Sequence, residues 1–552
     1  MTDVQDIRFP TPDEVEGFWA FDKMHAPRPL HPLSQDLVMT TLGEGFTLGQ
    51  GYYDCPLAAT SRAFHNYFFM AFHPYPDEAV IADRLTRYDD ALATKVPVIG
   101  DKWNNEWKPA LIARNYAEKD VDDSVLTDAE MVAKFDDMTN WMRDMWEIHG
   151  HINFVLLSGA RFCDMYDAEM RPKDPTEAYQ LLQGHHTRSV DAAKGLWALG
   201  RMVKDSADLT ALFDSTPTPQ INAQLSGTPD REAFAAALAE FLHEYGWRSD
   251  AVYNLADVTW REDPTIPLTS VDAYRHMDDS ENPQLKYEAA VRLRDKLMKE
   301  YEATLAADPE KLATMRELYT AAQDSYPITE DHAFYIDQLG VALLRKFTKA
   351  FGQRLAEKGL IDDAEDVYYL FADEAKATMA DGIDRHDLVT ERKAYFAATE
   401  QLEVPGALGT MPEMTGPPDP WFDAVAVRLL GIKPPATEVD PLVVDGVAGS
   451  PGVYTGVARV VRSLFEAGDL EDGEVMVCEM TLPPWVPMFS VAGAVVADVG
   501  GIMSHCAIVA REFDLPAVVG SIDGTARIQT GMVVTVDGTN GKVYLDGRSL
   551  DG

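Results

Sequence analysis

A proline-rich break at residues 431–440, Gly-Ile-Lys-Pro-Pro-Ala-Thr-Glu-Val-Asp, divides the sequence into two stretches of different periodicity. Pro434 and Pro435 cannot continue a helix and favour an extended, semi-rigid connection. Before the break, apolar residues recur at helical spacing. Residues 127–147 open with a capping box, Thr127 and Glu130, and then repeat Met, Phe and Trp on one face. The same pattern returns at 179–203, 231–245, 285–307, 309–323 and 334–358, between Pro-, Gly- or Asp-rich breaks. After the break come short valine-rich runs, VYTGVARVV, EVMVCEM, AGAVVADV, PAVVG and MVVTVDG, punctuated by Gly, Pro and Asp. The expected fold is α+β: a large, mainly helical domain over 1–430, a hinge linker at 431–440, and a compact β/α domain over 441–552.

At 552 residues the chain is too long for one ordinary core, so more than one domain is required. With 46% hydrophobic and 25% charged residues it has the composition of a folded protein rather than a disordered one. The formal charge of -42 opposes approach to nucleic acid or anionic lipid, both polyanions. No basic and apolar leader opens the sequence and no apolar run approaches a membrane span, so a cytoplasmic location is expected. Cys55, Cys163, Cys478 and Cys506 show no paired metal-ligand spacing, which predicts free thiols and no metal site.

Within the valine-rich region, residues 499–512 read Val-Gly-Gly-Ile-Met-Ser-His-Cys-Ala-Ile-Val-Ala-Arg-Glu: a strand end, a glycine turn, and a helix beginning near His505. A helix N-terminus presents unpaired amides and the positive end of the dipole, which favours a dianionic phosphoryl group. An imidazole with a pKa of about 6.5 is largely uncharged at neutral pH and can act as a nucleophile, whereas a lysine is not. Gly500 and Gly501 permit close backbone approach. By spacing alone, a histidine after two glycines is a weak signal, and a helix-capping or core histidine is the better reading.

The three stretches 449–461, 475–520 and 524–545 resemble the mobile phosphohistidine domain of phosphoenolpyruvate synthase, pyruvate phosphate dikinase and rifampicin phosphotransferase. His505, the following Ala-Ile-Val-Ala-Arg-Glu and the Leu-Pro-Ala-Val-Val-Gly stand in register. The resemblance puts His505 in the place of the phosphorylated histidine, with Ser504, Gly501 and Arg511 as candidates to stabilise phosphate. Arg511, on the next helical turn, is placed for either a phosphate or a carboxylate. Where the family often has Thr-Ser-His-Ala-Ala, this chain has Met503-Ser504-His505-Cys506-Ala507. Met503 removes a hydroxyl near the imidazole, leaving Ser504 as the local candidate to orient the ring; Cys506 reads as a small packing residue.

Residues 19–35, 245–264, 327–338 and 362–374 resemble the acceptor domain of phenylphosphate synthase and rifampicin phosphotransferase. The resemblance implies a dikinase in which ATP, water and a hydroxyl compound yield AMP, phosphate and a phosphate ester through a covalent phosphohistidine. No glycine-rich phosphate loop with a following lysine is found in the sequence. As in phenylphosphate synthase, ATP and Mg are then expected on a separate ATP-grasp partner subunit of a hetero-oligomer. A phenolic hydroxyl has a pKa of about 10 and needs a base or a cationic partner. His25, Arg248 and His332 lie in the resembling segments and are acceptor-binding candidates, as is Trp260 among the aromatic residues that can line a flat pocket. Each has a structural alternative: His25 fixing a loop, His332 capping a helix, Arg248 holding Asp250 or Asp257, Trp260 filling core. The expected function is phosphorylation of a small phenolic compound in aromatic catabolism. A larger antibiotic-like hydroxyl, or a phosphocarrier without acceptor chemistry, are the alternatives.

Overall fold

The computed structural model describes residues 7–23, 25–249, 252–411, 419–432, 440–463, 466, 470–481 and 485–548. Most of the linker, 433–439 with Pro434 and Pro435, lies outside the described residues. The chain forms two compact units and passes between them more than once: Met1–Phe154, Ala251–Val258 and Tyr335–Pro417 make the first, and Val155–Asp250, Thr259–Phe334 and Pro418–Gly552 the second.

In the first unit, Thr127 caps the helix Asp128–Ile152 through the expected capping box with Glu130. The helix Thr41–Tyr52 lies tight against it because Gly45 and Gly49 carry no side chain: a Cβ on Gly49 would stand 2.4 Å from the carbonyl oxygen of Glu147. The unit also holds a sheet that helical periodicity did not reveal. Strands β1 (Phe18–Phe21), β2 (Leu57–Phe64), β3 (Tyr67–Pro74) and β4 (Ala407–Gly409) pair antiparallel in the order β2-β3-β1-β4. The β2–β3 turn uses His65 and Asn66, both at positive φ (49° and 69°), in place of the Asn-Gly that announces a tight hairpin. β4 is contributed from more than 300 residues downstream, a pairing that no local pattern records.

The second unit carries the helices Val155–Met170, Arg188–Asp205, Pro229–Tyr245, Thr265–His276, Pro283–Leu305 and Pro309–Ser325. The periodic stretch 179–203 is broken in two: the turn Glu177–Gln180 ends, Gly184 takes φ 75°, and Thr187 caps a new helix through the amide of Val190. The valine-rich runs are strands β5 (Val443–Asp445), β6 (Val447–Ser450), β7 (Val453–Val461), β8 (Val475–Cys478), β9 (Ala494–Ala497), β10 (Ala517–Val519), β11 (Val533–Asp537) and β12 (Lys542–Tyr544). Among the described residues they form one sheet, ordered β5-β12-β11-β7-β8-β9-β10-β6, with β7 to β10 parallel. Val475, Val477, Ala494, Val496 and Val518, all fully buried, form its core. The mainly helical region followed by a β/α region is the expected fold class. No helix among the described residues is long and apolar enough to cross a membrane.

Candidate functional site

The parallel strands β9 and β10 are joined through the helix His505–Glu512, so the segment after β9 turns at the carboxyl end of the sheet before the helix begins. Gly500 makes that turn at φ 119°, and a Cβ there would stand 2.7 Å from Ser504 Oγ. Ser504 is the N-cap: its Oγ accepts from the amide of Ala507 at 3.5 Å. Buried Asp498 fixes the neighbouring loop by accepting from Ser521 Oγ (2.9 Å) and the Thr525 amide (3.0 Å). His505 is therefore the first residue of the helix, on a turn held at several points.

The imidazole is directed by Thr481, at the end of the strand region after β8. Thr481 Oγ1 lies 3.1 Å from Nδ1, and the Thr481 backbone carbonyl also interacts with the ring. Nδ1 is engaged by the Thr481 hydroxyl, and Nε2 is the ring nitrogen left over. Nε2 is buried and has no hydrogen-bond partner; the nearest carboxyl is Glu330, with Oε2 at 3.6 Å. Burial lowers the His505 pKa to about 3, against a smaller opposing effect of the Thr481 carbonyl, so the ring is uncharged. Only 13% of its side-chain surface is exposed. A neutral imidazole with one nitrogen tied back and the other bare is an arrangement suited to nucleophilic attack on phosphorus.

The other phosphate candidates take up supporting positions. The Gly501 amide donates to the carbonyl of Leu429 at 2.7 Å. Arg511 is buried; its Nη1 donates to the carbonyl of Gly449 at 2.6 Å and its Nη2 to the hydroxyl of Tyr326 at 3.2 Å, with no carboxylate among these partners. Met503 packs into the space above Gly159, where a Cβ would stand 2.9 Å from Met503 Cε. The hydroxyl that the motif lacks at position 503 is thus supplied by Thr481 from the segment after β8, while Ser504 caps the helix.

Of the acceptor candidates, Arg248, Trp260 and His332 share the second unit with His505, and His25 belongs to the first. Arg248 is fully buried and donates to the carbonyls of Tyr245 (2.9 Å) and Arg188 (3.3 Å), with its guanidinium over Phe334 (4.9 Å) and Trp260 (5.5 Å). Burial, and then the charge of Arg188, lower its pKa to about 9. His332 Nδ1 donates to the carbonyl of Ile328 at 2.6 Å. His25 Nδ1 lies 3.0 Å from both Asp22 oxygens, and its ring stacks on Tyr253 at 4.9 Å. Burial would discharge His25, but Asp22 outweighs it and raises the pKa.

Sequence reasoning missed Thr481 and Glu330. Glu330 sits in the turn Ile328–His332, 3% exposed, and accepts from Ser189 Oγ at 3.2 Å, while the neighbouring Asp331 accepts from the Arg188 amide at 3.1 Å. Both carboxyls thus meet the N-terminus of the helix Arg188–Asp205. The proton affinity of Glu330 is raised well above the ordinary carboxylate range, first by burial and then by Glu512.

Residues 470–541 match the family described as the mobile domain of PEP-utilising enzymes, and residues 158–330 the fourth domain of rifampicin phosphotransferase. The first match contains His505 and Thr481; the second ends at Glu330. This chain is a relative of the phosphoenolpyruvate-utilising phosphotransferases. The uncharacterised phosphotransferase YvkC of Bacillus subtilis is 30% identical over 73% of this chain and 48% of its own length. The rifampicin phosphotransferase of Streptomyces sviceus is 30% identical over 58% of this chain and 35% of its own. The phosphoenolpyruvate synthase of Aeropyrum pernix is 48% identical over 20% of this chain and 14% of its own. The chain spans less than half the length of each of these relatives.

Proposed function

We propose that this chain is the phosphohistidine and acceptor-binding part of an ATP-dependent dikinase that phosphorylates the hydroxyl of a small phenolic compound. The observation that carries the reading is the imidazole of His505: first residue of its helix, uncharged, Nδ1 held at Thr481 and Nε2 bare. In this reading ATP with Mg binds a separate ATP-grasp subunit, and Nε2 takes a phosphoryl group there and delivers it to the acceptor. The mobile-domain match supports the covalent phosphohistidine, and the match of 158–330 supports an acceptor site in the helices of the second unit. A small cavity of about 20 Å³ in that unit, lined by Val190, Ala193, Tyr287, Ala290, Glu512 and Phe513, has room for about one water and would have to open to admit an aromatic ring.

A larger hydroxylated acceptor of the antibiotic kind is the second reading, favoured by the match of 158–330 to the fourth domain of rifampicin phosphotransferase. The test of both readings begins with His505→Ala. Incubated with β-labelled ATP and the ATP-grasp partner, the wild-type chain is expected to retain label and the variant none, with product formation lost and the fold unchanged by circular dichroism. A variant that folds and still turns over at the wild-type rate makes His505 structural and removes the proposal.

A further inference from the structure

Resting on the phosphohistidine reading, we infer that Glu330 is a second catalytic residue, the base that takes the proton from the acceptor hydroxyl as that hydroxyl attacks phosphorus on His505. Three observations place it there. Its Oε2 is 3.6 Å from Nε2, the ring nitrogen without a hydrogen-bond partner and hence the one open to phosphorylation. The same oxygen accepts from Ser189 Oγ at 3.2 Å, from the first turn of an 18-residue helix, which holds the carboxyl beside the unphosphorylated ring. Glu330 and His505 come from segments 175 residues apart and are both largely closed to solvent, 3% and 13% exposed. The hydroxyl proton therefore has no ready route to bulk water and needs an internal acceptor.

A phosphoryl group on Nε2 needs more than the 3.6 Å between Nε2 and Oε2, so it turns the Glu330 carboxyl aside as it forms. Displacement at phosphorus runs in line, with the nucleophile arriving opposite the leaving nitrogen. The carboxyl, turned aside, flanks that approach and is at hand for the proton. In the transfer step the hydroxyl oxygen forms a bond to phosphorus and the P–Nε2 bond breaks, its electron pair returning to the ring. The hydroxyl proton passes to the Glu330 carboxylate. Starting from a phosphoimidazole protonated on Nδ1, the products are a neutral imidazole, a phosphate ester dianion and a protonated carboxyl, and the charge balances. Burial leads the effects that raise the proton affinity of Glu330; Glu512 and Asp331 raise it further, and Ser189 and Arg248 oppose them. A neutral His505 beside a carboxyl that holds its proton is the state in which the step ends.

The experiment uses the full chain and a small phosphoryl donor, potassium phosphoramidate, so that no partner subunit is needed. Phosphohistidine is followed by phosphorus NMR, and discharge is read as phenyl phosphate with phenol as probe and as inorganic phosphate without it. Glu330→Gln preserves the shape and the bond from Ser189 but cannot accept a proton. With discharge followed from chains loaded to the same extent, the variant is expected to discharge about 100-fold more slowly than the wild type. The wild-type discharge rate should rise with pH as Glu330 ionises, and the variant should lose that rise. Glu330→Asp, which keeps a carboxylate, should recover part of it. If the loaded Glu330→Gln chain discharges like the wild type with the same pH profile, the inference is overturned and the phosphohistidine reading survives. If the wild-type chain takes up no label at His505, both fall together.

Discussion

At the scale of single residues, the chemistry depends on keeping one imidazole neutral and aimed. Burial achieves the first: protonating His505 in place would put a charge where little water reaches it, so its pKa falls to about 3. The sign for stability follows. The unfolded histidine takes up a proton below about pH 6.5 while the folded one resists to about 3, so this contribution is intact above 6.5 and is lost as pH falls between the two, by up to about 1.4 kcal/mol per pH unit. Loading of His505 by phosphoramidate should by the same token show no decline between pH 7 and 5, where an exposed histidine loses its nucleophile. The aim comes from Thr481. Thr481→Val removes the hydroxyl and keeps the shape, and a neutral hydrogen bond contributes about 1 kcal/mol, so loading should slow roughly five-fold with the melting temperature little changed. An unchanged loading rate would mean that the backbone carbonyl of Thr481 suffices. His505 was legible in the sequence because its neighbours form a recognisable run, whereas Thr481 and Glu330 were not. They stand 24 and 175 residues from the histidine, and a lone Thr or Glu in a polar stretch carries no mark of its tertiary partner.

At the scale of elements, the phosphohistidine helix starts where it does because a glycine turn and a serine cap coincide. The Ser504 cap bond is long, 3.5 Å, so Ser504→Ala should cost at the lower end of the usual range, about 0.5–1 kcal/mol by denaturant unfolding, with His505 still in place. Gly500→Ala is a different injury. Its φ of 119° disfavours any side chain, and the new Cβ would meet the very atom that caps the helix, 2.7 Å away. It should therefore destabilise by more than Ser504→Ala and lower the loading rate as well. If the two variants prove equal in both measurements, the turn does not position the helix. Elements with a strong period were readable: 309–323 was expected and Pro309–Ser325 is found, and the capping box at Thr127 starts its helix as anticipated. The sheet of the first unit was not, since β2 and β3 meet at His65-Asn66 and β4 arrives from the far end of the unit.

At the scale of the whole chain, the imidazole that meets Glu330 must also, on the proposed function, meet a nucleotide bound elsewhere. Transfer requires near-contact geometry, and His505 is 13% exposed, so one position cannot serve both centres. Within the second unit, polar contacts between the β-rich region and the helices add to packing such as that of Met503 over Gly159. Arg511 reaches the Tyr326 hydroxyl at 3.2 Å, Tyr274 the Ser490 hydroxyl at 2.9 Å, and Lys286 donates to the carbonyl of Phe513 at 3.3 Å. Ahead of the linker, Arg428 pairs with Asp164 and with the Tyr179 hydroxyl, and its carbonyl accepts from the Met503 amide at 2.7 Å. These are polar contacts of modest strength, about 0.5–1.5 kcal/mol each, that can break and re-form in a domain motion. Residues 431–440 are then the hinge we propose, anchored on one side by the Ile432 amide on the carbonyl of Ala426 and on the other by the Val443 amide on the carbonyl of Asp440. Deleting Pro434 to Thr437 shortens the reach without touching either anchor or His505. The expected outcome, with ATP and the partner present, is that labelling and delivery part company. Label should accumulate on the chain while product formation falls at least ten-fold, followed by filter binding for the first and chromatography for the second. If both half-reactions keep their wild-type rates, no swing about this linker is needed and the two centres must lie within reach of one another.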